Sequence, residues 1–124
     1  MKLSRKNFDK AVDQAVRRIP PAIRRHLENV AITVEQHPSR ELLEEIGAPP
    51  GETLLGIYLG TALVDRSITA PPVLPDSIVI FQAPLEEICE TLEELEEEIE
   101  ITVVHEIAHF IGIGEDRLRE LGYE

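Results

Sequence analysis

Five consecutive residues, His105-Glu106-Ile107-Ala108-His109, carry the clearest chemistry in this 124-residue chain. The apolar periodicity around them predicts a helix over 91–111. Residues four apart on a helix sit about 40° apart around its axis, so both imidazoles leave one face. Two imidazoles so placed suit Zn²⁺, at about 2.0–2.1 Å each. Glu106 leaves the adjacent side, within reach of a water on such an ion. There it can act as general base and then carry the proton to a leaving amine. The ion would lower the water's pKa from about 15.7 toward about 7 and polarise a scissile carbonyl. Chance places His-Glu-x-x-His in about 2% of chains of this composition, and in about 0.1% once Gly112 is also required.

An ion that keeps one position open for water needs a third protein ligand. His26 and His37 are far upstream and off any ligand spacing. The few residues after His109 exclude a glutamate on a distant later helix. The downstream candidates are Glu115, Asp116, Glu120, Glu124 and Tyr123. A glycine past a helix end takes the left-handed conformation and reverses the chain, so Gly112 is read as the turn beneath the metal. Six residues after His109, that turn delivers Glu115, with Asp116 as the alternative. Both acids also suit the first turn of a following helix. No motif for any other cofactor is present.

The elements that must position these residues follow from patterning. Phe8, Ala11, Val12, Ala15, Val16 and Ile19 have helical spacing over 5–19. Pro20 and Pro21 end that helix, and Pro21 opens a short one through Leu27. Val30, Ile32 and Val34 alternate with Ala31, Thr33 and Glu35, which reads as a strand. Ser39 caps a short helix from Arg40 to Ile46, closed by Gly47. Thr53 to Leu59 reads as a strand and Thr61 to Asp65 as its hairpin partner, with a proline-rich loop from Ala70 to Asp76. Ser77 to Gln82 is apolar on both faces, the mark of a buried strand. Thr91 and Glu94 fit a capping box, which implies a helix at 85–90 and a long one at 91–111, one continuous helix being the alternative. Leu92, Leu95, Ile99, Val103, Ile107 and Phe110 share its apolar arc. A last helix spans Glu115 to Leu121. Residues 1–124 thus read as one α+β domain.

Composition bounds the rest. A chain with 43% hydrophobic and 29% charged residues is of ordinary globular type. It has no apolar run near the roughly 18 residues a membrane span needs, and no apolar core follows its first residues. A lone cysteine, Cys89, excludes an internal disulfide and fits a reducing cytoplasm. Net charge is −12, and no Lys or Arg lies between Arg66 and Arg117. That field repels nucleic acid and anionic lipid, so neither is an expected partner. The glutamates of 93–100 read as a solvated helix face, and Cys89 as a small core residue.

The stretch Ile101 to Gly112 resembles the small bacterial zincin-like metallopeptidases, whose motif is H-E-x-x-H-x-x-G-x-x-D. Looser similarity covers Ile19-Pro20, Asn29-Val30, Leu55-Gly56-Ile57-Tyr58 with Gly60, and Leu74-Pro75-Asp76. The resemblance implies a minimal zincin fold, a small mixed sheet with the H-E-x-x-H helix packed on it. It also implies one zinc per chain, Glu106 as catalytic acid/base, and hydrolysis of a peptide or protein substrate. The chain departs from the motif at its aspartate position, which holds Glu115, with Asp116 next. A metzincin is excluded: position 115 is not histidine, and Met1 is the only methionine. The alternative function is a non-catalytic zinc-binding interaction module. Tyr58, Tyr123, Arg117 and His37 are candidates for stabilising an oxyanion, and nothing in their spacing selects one. The sequence carries no signal of oligomeric state.

Overall fold

A computed structural model describes residues 1–60 and 76–123. The hairpin partner read at 61–65, most of the 70–76 loop, and Glu124 lie outside the described residues.

Helix α1 (Arg5–Arg18) starts where Ser4 Oγ accepts the Asn7 N–H at 3.1 Å. It buries Phe8, Ala11, Val12 and Ala15. Ile19, at φ −67° and ψ 133°, ends it, as expected of a residue that precedes proline. Helix α2 (Pro21–Arg24) runs into a 3₁₀ turn at Arg25–Leu27, and β1 (Val30–Glu35) follows. Helix α3 (Arg40–Glu45) is capped by Ser39, which accepts the Leu42 N–H at 3.0 Å. Strand β2 (Gly56–Leu59) is shorter than the Thr53–Leu59 expected, although the Phe81 N–H still reaches the Leu55 carbonyl at 2.9 Å.

Strand β3 (Asp76–Phe81) is the middle of a mixed sheet of order β1-β3-β2. It runs parallel to β1, from Val30↔Asp76 to Glu35↔Phe81. It runs antiparallel to β2, from Gly56↔Ile80 to Leu59↔Ser77. Its central position explains its composition: Ile78, Val79, Ile80 and Phe81 are all buried.

Helix α4 (Gln82–Ile88) begins three residues before the expected start. Pro84 falls in its first turn, where a missing N–H costs nothing. Gln82 and Glu86 are buried but satisfied: Gln82 Nε2 donates to Leu3 O at 2.9 Å, and Glu86 Oε2 accepts the Leu3 N–H at 2.7 Å. The chain breaks at Cys89–Thr91, so two helices form rather than one. Thr91 Oγ1 accepts the Glu94 N–H at 3.1 Å and opens α5 (Leu92–Ile111). The return arm of the capping box goes to the Glu90 N–H, at 3.3 Å from Glu94 Oε2, rather than to Thr91.

Helix α5 packs against α1, α4, β2 and β3. Leu95, Ile99, Val103 and Ile107 are at most 1% exposed, and each is worth about 1.5–3 kcal/mol on full burial. Two residues of the expected apolar arc are corrected. Leu92 is 50% exposed and Phe110 is 57% exposed, because each sits close to an end of the helix, Leu92 at the rim of α1 and Phe110 against Tyr58 of β2. Helix α6 (Glu115–Glu120) closes the described chain. Among the described residues, no helix is long and apolar enough to cross a membrane.

Candidate metal centre

Helix α5 carries His105, Glu106 and His109 on its C-terminal half. Ile107 and Ala108 point into the core, which turns His105 and Glu106 to a half-buried border and leaves His109 exposed. The Nε2 atom of His105 is buried and has no hydrogen-bond partner among the described residues. Buried polar atoms are nearly always paired, so an imidazole nitrogen in this state suits a metal ion.

Strand β2 supplies the opposite wall. The Phe81-to-Leu55 bond sets the alternation of the antiparallel ladder. Leu55, Ile57 and Leu59 therefore turn their backbone groups toward β3, and Gly56 and Tyr58 turn theirs away. The outward Tyr58 N–H donates to Glu106 Oε1 at 2.9 Å. One oxygen of the Glu106 carboxylate is thus held by the main chain of a strand. The Tyr58 ring stacks on Phe110, with centroids 4.3 Å apart and planes 14° from parallel. Its hydroxyl donates to Asp76 Oδ2 at 2.8 Å. An open cleft of about 280 Å³ lies between strand and helix, lined by Thr53 to Gly56, Glu98, Ile101, Thr102, His105 and Glu106. Its charged lining residues Glu98 and Glu106 are both acidic. A larger cavity, about 510 Å³ between α1, α2 and β1, contains no histidine and is walled largely by Val12, Val16, Leu27, Val30 and Ile32.

Gly112 ends α5 in the left-handed conformation, at φ 81° and ψ 23°. The Gly112 and Ile113 N–H groups both return to the Ala108 carbonyl, the latter at 2.8 Å. The chain reverses there as expected. Glu115 and Asp116 open α6 and are exposed. Asp116 lies 3.7 Å from Arg119. Among the described residues, no three His, Cys, Asp or Glu side chains gather closely enough to hold an ion. The helix carries the two histidines and Glu106 together, and Glu115 and Asp116 follow its end at the exposed start of α6.

The other sequence candidates separate. The Tyr123 hydroxyl donates to Glu100 Oε2 at 2.8 Å, and Glu100 Oε1 meets Arg18 Nε at 3.1 Å. Burial, and then the bond to Glu100, push the Tyr123 hydroxyl above the ordinary tyrosine range. Arg117 and Glu120 pair with each other at 3.0 Å on the surface. His26 is exposed in the 3₁₀ turn, and His37 follows β1 at the Phe81 end of the sheet, opposite the Asp76 end where Tyr58 and Phe110 meet. Cys89 is buried, as expected, and burial followed by Glu98 and Glu94 raises its thiol pKa. The acidic face of α5 is only partly solvated: Glu96 and Glu100 are recruited by Arg18. Sequence reasoning missed Gly56. A glycine inside an apolar strand marks a close backbone approach, and that signal was available.

The model of the zincin-like metallopeptidase family matches residues 27–123. The chain belongs to that family. A solved structure of a conserved hypothetical protein from Thermo thermophilus has the same fold, with a TM-score of 0.55 and 21% identity. The match covers 88% of this chain and 94% of that one. No functionally curated protein matches. Within this zincin-like fold, His105 and His109 fit the ligand helix, and the orphaned Nε2 of His105 fits a bound metal on chemical grounds.

Proposed function

We propose that this chain is a zinc-dependent peptidase in which Glu106 is the general base. The observation that carries the reading is the pairing of His105 and Glu106: an imidazole nitrogen buried without a partner, beside a carboxylate anchored by the Tyr58 N–H. His105 and His109 would hold one Zn²⁺, with Glu115 or Asp116 as third protein ligand. When bound there, zinc supplies Lewis-acid activation of water and of the scissile carbonyl. Glu106 takes the proton of the attacking water on a carboxylate oxygen and returns it to the leaving amine. The Tyr58 N–H holds Oε1, which leaves Oε2 as the oxygen that moves the proton. The 280 Å³ cleft between β2 and α5 is open and shallow, suited to a short extended segment of peptide rather than to a deeply enclosed ligand. A reducing cytoplasm is the compartment that suits the lone buried thiol.

A second reading is a non-catalytic zinc-binding interaction module, favoured by the exposure of Glu115 and Asp116 and by the nearness of Asp116 to Arg119. Two measurements separate the readings. Purified protein is expected to hold close to one zinc per chain, lost in His105→Ala. A peptide library is expected to be cleaved, and Glu106→Ala is expected to abolish cleavage while zinc stays bound. Cleavage by Glu106→Ala at the parent rate sinks the mechanism. Zinc binding without cleavage under any condition favours the interaction module.

A further inference from the structure

Strand β2 crosses α5 at Gly56, and the crossing is tight. A Cβ on residue 56 would lie 2.7 Å from Thr102 Cγ2 and 3.1 Å from the Val79 carbonyl oxygen. Neither neighbour yields easily. Thr102 is 9% exposed and β-branched on a helix, where χ1 has little freedom. Val79 O belongs to the central strand. A side chain at 56 must therefore push β2 off the helix.

The consequence falls on Glu106. Thr102 and Glu106 are one turn apart on α5, a rise of about 6 Å. Gly56 and Tyr58 are successive outward positions on β2, a rise of about 6.6 Å. The two contacts, Gly56 on Thr102 and Tyr58 N–H on Glu106 Oε1, are thus in register along the same helix–strand seam. The second is 2.9 Å long, and N–H···O bonds weaken beyond about 3.2 Å. A displacement of a few tenths of an ångström is enough to weaken the hold on the carboxylate.

We infer that Gly56 and the Tyr58 amide are positioning elements for Glu106: the missing Cβ lets β2 close until its main chain fixes one carboxylate oxygen. The effect on turnover rests on the peptidase reading above; the geometry does not. In this arrangement the main chain orients the base. The strand that walls the cleft does so itself, and a peptide lying against that wall meets a base already aimed.

The test uses the metal-free, ¹⁵N-labelled protein and the Tyr58 amide as reporter. In the parent this amide is expected downfield and slow to exchange. Glu106→Ala removes the acceptor; an upfield shift and about tenfold or faster exchange are expected, matching the loss of a bond to a charged group. Gly56→Ala is expected to give the same change with Glu106 still present. Gly56→Ala/Thr102→Ser removes the 2.7 Å clash but keeps the 3.1 Å one, so partial recovery is expected. If Gly56→Ala fails to fold, the double variant read against Thr102→Ser serves instead. Zinc affinity of the folded Gly56 variant, measured by chelator competition, is expected within about threefold of the parent, since neither histidine moves. With a cleaved peptide in hand, kcat is expected to fall about 10- to 100-fold at nearly constant KM. A Tyr58 amide that is unmoved in Glu106→Ala, or in both variants carrying Ala at 56, overturns the proposal. A protein that cleaves nothing yet shows the amide pattern supports the positioning and sinks only the peptidase reading.

Discussion

Tyr123 shows how one residue ties the end of the chain to the site helix. Its hydroxyl donates to Glu100, which also receives Arg18 from α1. The hydroxyl is held protonated above the ordinary tyrosine range by burial and by that acceptor. Unfolded tyrosine loses its proton near pH 10. The folded state keeps it longer, so this contribution to stability is complete below about pH 10 and declines as pH rises beyond it. Tyr123→Phe is expected to lose about 0.5–1.5 kcal/mol in urea unfolding near pH 8. Between pH 10 and 11 the gap between parent and variant should narrow. A gap that widens there reverses the sign and refutes the assignment. At this scale the sequence was legible where chemistry depends on neighbours in the chain. The His105–Glu106–His109 set is of that kind. The role of Tyr58 was not, because it acts through its main-chain N–H, which every residue but proline has.

Helix ends and the central strand were the most readable elements. Ser39 and Thr91 cap their helices as their types and positions predict, and Ser4 caps α1 in the same way. Gly112 ends α5 left-handed with nothing within 4 Å of a Cβ built on it, so its constraint is purely conformational. Gly112→Ala is therefore expected to cost about 1–2 kcal/mol in thermal unfolding. On the reading of Glu115 or Asp116 as third ligand, the same change also weakens zinc binding, measured by chelator competition. Destabilisation with unchanged zinc affinity means the third ligand does not come from this turn. The elements misjudged were those whose limits are set by neighbours. Strand β2 shortens because only Gly56–Leu59 pairs continuously with β3. Phe110 fits the helical period of the core yet stays 57% exposed, stacked on Tyr58 one residue before the end of α5.

Across the whole molecule, charge and fold coincide. The stretch without Lys or Arg, from 67 to 116, includes all of α5. Glu98 and Glu106 line the cleft. A negative field at a cleft raises the local concentration of cations, which favours a divalent ion and cationic peptides. Lys/Arg-rich peptides are expected to be cleaved faster than acidic ones of equal length at low salt. The rates should converge at about 1 M salt, where the Debye length is near 3 Å. A preference that ignores salt points to direct side-chain contacts instead.

The sequence by itself determined the two imidazoles and the carboxylate, the helix that carries them, the glycine that ends it and the buried middle strand. All of these follow from local geometry: a 3.6-residue period, a capping hydroxyl, a left-handed glycine. Only the tertiary structure decided that Glu106 is held by a strand 48 residues earlier and that Gly56 permits the approach. Such contacts depend on how closely two elements pack, and packing distance is a property of the assembled core rather than of any stretch of chain.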